Sequence, residues 1–120
     1  MSIPSSQQRI YPWADFLQPA DGEPLRSVVM QSDHSVVIAW VVKPGERITP
    51  HVHPAGQDVW TIVAGAGDYI QDKAGSTRPV KAGDVAVARA GEVHGVHNTG
   101  AVPLVFVSVV APVEAGYQVA

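Results

Sequence analysis

Short apolar or alternating runs, cut at close intervals by turn residues, make up most of this chain. They predict strands over 25–31, 35–43, 48–53, 58–64, 67–71, 78–81, 84–88, 93–98 and 104–110. Eleven glycines and ten prolines recur so often that no stretch beyond the N-terminal arm is left for a helix of three turns. The turns have their own chemistry: Ser32-Asp33-His34 can close a hairpin, Lys43-Pro44-Gly45-Glu46 places Pro and Gly as a type II turn requires, and 72–76 is a polar loop. Evenly spaced short strands joined in this way predict an all-β sandwich or barrel. Two runs, 36–42 and 104–110, are apolar at almost every position, as in strands covered on both faces. In a barrel one face meets the core, so the other is expected to meet a second subunit.

The 120 residues suit one domain, with the barrel over 25–120 and an arm over 1–24 belonging to it. In the arm, Tyr11-Pro12-Trp13 and Asp15-Phe16-Leu17 suggest an apolar segment or a short helical turn. Composition adds to the expectation of self-association. Charged residues are 16% of the chain, against roughly 25% in an average soluble domain. The formal net charge is −3 and the eight Lys and Arg form no basic run, which disfavours nucleic acid and anionic membranes as partners. No apolar stretch has the length of a membrane span, and residues 1–10 are polar, so a cytoplasmic protein is expected. Cysteine is absent, which leaves nitrogen and oxygen as the donors for any metal.

Three of the five histidines fall where strands can bring them together. His51 and His53 lie two apart on a predicted strand, so they share a face at about 6.5–7 Å, within reach of one bridging ion. A turn at 54–57 brings Asp58 back beside them, while His94 can join only through the tertiary fold.

In this region Gly45, five residues, His51, one, His53, four, Asp58, six, Gly65 resembles the first motif of the cupin superfamily, with Asp58 where the family has glutamate. Gly83, five, Arg89, one, Gly91, two, His94, three, Asn98 resembles the second, with Arg89 in place of a proline. The two cover residues 45–98. The resemblance implies a conical, jelly-roll β-barrel of the RmlC-like, double-stranded β-helix type, with a metal held by His51, His53, Asp58 and His94 inside a pocket. Three imidazoles and a carboxylate suit Fe, Mn, Ni, Co, Cu or Zn as divalent ions and disfavour Ca²⁺ and Mg²⁺. Aspartate is a methylene shorter than glutamate, so Asp58 is open between direct ligation, ligation through water, and accepting a histidine N–H. Gln57 is the neighbouring fallback. The four motif glycines sit at predicted turns that need positive φ.

Other positions carry weaker expectations. Trp60 and Ile62 alternate in phase with Asp58 and are candidates for lining a substrate pocket, with core filling as the alternative. Arg89 is a candidate clamp for an anionic substrate at the rim, with a solvated turn residue as the alternative. His97 should face outward from His94, His34 should be solvated, and Asn98 reads as structural. Two functions stay open. One is a metal-dependent enzyme of dioxygenase, isomerase, lyase or decarboxylase type acting on a small oxygen-rich metabolite. The other is a barrel that binds or senses a small ligand without catalysis. A structural dimer module leaves the histidines unexplained.

Overall fold

The computed structural model describes residues 8–17 and 24–120, and the remainder of the arm expected over 1–24 lies outside the described residues. Among the described residues, ten strands follow a 3₁₀ turn at Trp13–Phe16: β1 (Leu25–Gln31), β2 (Val36–Val42), β3 (Arg47–Val52), β4 (Gln57–Ala64), β5 (Ala66–Ile70), β6 (Thr77–Lys81), β7 (Val85–Ala88), β8 (His94–His97), β9 (Leu104–Ala111) and β10 (Gln118–Val119). The first nine match the predicted runs to within a residue or so. The two-residue β10 was not foreseen, because it is a strand only through its pairing with β3.

The strands form two five-stranded antiparallel sheets, ordered β1-β2-β9-β4-β7 and β10-β3-β8-β5-β6. Alternation decides which side chains face inward. Along β9, Leu104, Phe106, Ser108 and Val110 are buried, while Val105, Val107, Val109 and Ala111 are half-buried on the outer face. In β4 the inward set is Asp58, Trp60 and Ile62.

The core proper fills one end of the barrel. Trp60 stacks on Phe106 at 4.2 Å between ring centroids and meets Tyr69 edge-on at 5.2 Å, with Val42, Ile48, Ile62, Val80, Val96 and Leu104 around them. A smaller apolar group, Ile38, Val110 and Ala115, also packs against Trp40, and Ile38, Val110 and Trp40 line a chamber.

Loops are fixed by the chemistry expected of them. Lys43 O accepts from Glu46 N–H at 3.0 Å around Pro44 and Gly45, and Gly45, Gly65, Gly83 and Gly91 all have positive φ. Asn98 is fully buried: its amide donates to Val42 O and Val102 O, and its Oδ1 accepts from Gly100 N–H, each at 2.9 Å. It stitches the β8–β9 connection to β2, which is the structural role its motif position implies. Among the described residues no helix is long and apolar enough to cross a membrane.

Candidate functional site

The four polar residues singled out in the sequence meet at one point. Their ligand atoms, one per residue, all lie within 4.8 Å of one another. Local irregularity is what aims two of them. Between Ile48 and His51 the pairing of β3 with β8 slips register, so that Ile48 and His51 both point inward although strict alternation would oppose them. His51 then sits directly opposite His94. Gly95, next to His94, allows the slip, since a Cβ there would lie 2.6 Å from Ile48 O. His53 follows the end of β3, and the 53–57 turn returns the chain so that Asp58 enters β4 facing the same interior.

Each imidazole is oriented by a backbone carbonyl. His51 Nδ1 donates to Thr49 O at 2.7 Å, His53 Nδ1 to Gly116 O at 2.6 Å and His94 Nδ1 to Glu92 O at 3.1 Å. A carbonyl can only accept, so Nδ1 carries a proton in all three rings, and Nε2 holds a lone pair whenever the ring is neutral. Two of these nitrogens converge on one oxygen: Asp58 Oδ2 is 3.3 Å from His53 Nε2 and 3.0 Å from His94 Nε2. Lone pairs facing lone pairs repel unless a proton or another cation lies between them. The other carboxylate oxygen, Oδ1, accepts from Ser108 Oγ.

Protonation follows the same geometry. Burial pushes His51 down to about 4, with the Thr49 carbonyl opposing that shift and the neighbouring His94 and His53 adding to it. A proton on His53 Nε2, donated to Asp58 Oδ2, is one cation that can lie between the two atoms, and this hydrogen bond holds His53 above the usual imidazole range, against its burial. For Asp58, burial alone works upward, but hydrogen bonds from His53, His94 and Ser108 together outweigh it and keep the carboxyl below the usual carboxylate range. A neutral buried imidazole beside a carboxylate that stays ionised is the protonation state that metal donors need. The residues therefore fit a divalent transition metal, bound by N₃O donors with all three Nδ1 atoms already satisfied.

Three of the four, His51, His53 and Asp58, lie in the wall of a chamber of ≈ 550 Å³, whose lining also includes Arg26, Ile38, Trp40, Ser108 and Tyr117. The C-terminal tail closes one side. Ala55 N–H donates to Ala115 O at 2.8 Å, Gly116 O orients His53, and the Tyr117 ring lies 5.0 Å from that of His51.

The three pocket candidates stand outside the chamber, in the places that their alternative readings gave them. Trp60 and Ile62 share the face of Asp58, as their phase predicts, but at 1% and 2% exposure they belong to the closed core and do not line the chamber. Arg89 is also absent from the lining; its guanidinium lies in solvent, 3.8 Å from Glu92 of its own turn. His97 stands opposite Arg47 and Asp68, outside the cluster, and Gln57 is exposed. Sequence reasoning missed Ser108, Arg26 and Tyr117. Ser108 had a signal, as the one polar residue in the run Leu104–Ala111. Arg26 and Tyr117 had none, because distant segments bring them to the chamber.

Comparison with known proteins agrees with this geometry. The model of the cupin domain matches residues 39–110, which contain all four cluster residues. The chain belongs to the cupin family. An oxalate-binding protein of Thermotoga maritima is 34% identical over 67 residues, which are 56% of this cupin and 54% of that protein, so the chain spans about half the length of the curated relative it matches. Among solved structures, a protein of Klebsiella pneumoniae described as uncharacterised, with a double-stranded β-helix domain, is 46% identical, with a TM-score of 0.90 over 95% of this cupin and 98% of that chain. A Thermus thermophilus structure, 24% identical with a TM-score of 0.80 over 88% and 98% of the two chains, shares the fold.

Proposed function

We propose that this cupin is a metal-dependent enzyme acting on a small, oxygen-rich molecule, with His51, His53, Asp58 and His94 as the ligands of one divalent Fe, Mn, Co, Ni, Cu or Zn ion. The observation that carries this reading is the convergence of Nε2 atoms on Asp58 Oδ2 in the wall of an open chamber. A bound ion would supply Lewis acidity, polarising a carbonyl or activating water, and a redox-active one would also open oxygenase chemistry. The chain's own residues do the rest. Ser108 holds the carboxylate, three carbonyls hold the rings, and Tyr117 borders the chamber beside His51. The reaction class lies among dioxygenase, decarboxylase, lyase and isomerase chemistry. The half-buried valines on the outer face of β9, with exposed Val63, Val85 and Val87 on the same sheet, favour a homodimer packed through that sheet.

A second reading is favoured by one observation, the name of the Thermotoga relative, an oxalate-binding protein. Under it the barrel captures a small acid and releases it unchanged.

One experiment separates the two. The purified protein is loaded with Fe(II) or Mn(II) and incubated with oxalate, α-oxo acids, diketones and catechols, while oxygen uptake, carbon dioxide and substrate loss are followed. The enzyme reading predicts metal-dependent consumption of at least one compound. Saturable binding with every compound recovered intact would overturn it in favour of capture.

A further inference from the structure

The lining of the chamber is chemically divided, and the division specifies what it can take. In the polar cluster the only carboxylate among the described residues is Asp58, whose oxygens are engaged by His53, His94 and Ser108. Arg26, from β1, reaches the same chamber and has no ion-pair partner among the described residues. Exposed Lys81 and Arg89, by contrast, each have a neighbouring carboxylate. With a divalent ion in place the chamber is strongly positive and calls for an anion. Another part of the lining is an apolar wall, Val36, Ile38, Val110 and Val113, with Trp40 beside it. A second groove shares Arg26, Trp40, Ile48 and Tyr117 with the chamber, so the space continues past Arg26.

Resting on the metal-enzyme reading above, we propose that the chamber binds a small carboxylic acid with a branched or aromatic side chain, its carboxylate paired with Arg26 and its side chain on the Ile38–Val110 wall, with α-oxo acids as the probes. Oxalate satisfies the charge but has no apolar surface to set against that wall, and it would leave most of ≈ 550 Å³ unfilled. Arginine suits the role because its planar fork matches a carboxylate bidentately.

The test uses the Zn(II)-loaded protein, in which redox turnover is silent, and isothermal titration with α-ketoisocaproate and with oxalate. Burial of a leucine-like side chain predicts that α-ketoisocaproate binds about ten- to hundredfold more tightly than oxalate. Arg26→Gln is expected to weaken α-ketoisocaproate about tenfold or more while zinc content stays at one per chain. Oxalate binding as tightly as the oxo acid, or Arg26→Gln binding the oxo acid like the wild type, would overturn the assignment and leave the metal reading standing. A wild-type protein that takes up no zinc would overturn the metal reading and this one with it.

Discussion

Changing His51 and His94 together to alanine is expected to bring metal binding to background. The two residues are direct partners across the β3–β8 pair, with ring centroids 4.2 Å apart, and together they supply half of the donors. Loss of a group that merely supports a ligand costs roughly 10–100-fold in metal affinity, and loss of two ligands must exceed that. The effect should be graded along the contacts of the site. Ser108→Ala removes the hydroxyl that holds Asp58 Oδ1 and should cost about 10–100-fold. His97→Ala, three residues from His94 but outside the cluster, should cost nothing. Competition titration with a chromophoric chelator reads all three, and circular dichroism checks that each variant folds. Equal affinities across the series would mean that the ion, if any, sits elsewhere.

The second large effect concerns stability. Gly65→Ala is expected to destabilise the barrel by several kcal/mol, a large part of the about 5–15 kcal/mol that holds a domain folded. Two costs combine there. At φ +79° an L-residue is strained by about 1–2 kcal/mol, and a Cβ would lie 2.3 Å from Pro103 O and 3.0 Å from Leu104 Cα, which are backbone atoms unable to step aside. Gly83, at φ +96°, has nothing within 4 Å of its Cβ position, so Gly83→Ala bears only the first cost. The two motif glycines thus differ in kind: one serves a turn, and the other also admits the start of β9. Thermal denaturation should show Gly65→Ala falling at least about 10 °C below Gly83→Ala, given about 4–8 °C per kcal/mol for small domains. Equal melting temperatures would remove the close approach at Gly65 from the account.

Local rules carried the reading of the fold a long way. Alternation found nine strands, turn chemistry found their connections, and the two motifs found all four members of the polar cluster. One limit is that periodicity reports the face of a strand but not the depth along the barrel. Trp60 and Ile62 were assigned the correct face, yet β4 carries them into the packed end while Asp58, at the start of the strand, stands at the chamber. His51 shows the reverse case, in which the correct side depends on a register slip that no local pattern announces. Arg26 and Tyr117, from opposite ends of the chain, meet only because β1 and the tail both border the chamber. Arg89 illustrates how little a charged residue in a turn reveals: its nearest carboxylate is three residues away on the same turn.

The convergence of three imidazoles and a carboxylate on one cation is tested most directly by elemental analysis of the protein purified without an affinity tag. Close to one equivalent of a first-row transition metal per chain, removed by a chelator and restored by adding the ion back, is the predicted result. Protein that carries only traces of every metal and refuses Mn(II), Fe(II), Co(II) and Zn(II) alike would contradict it.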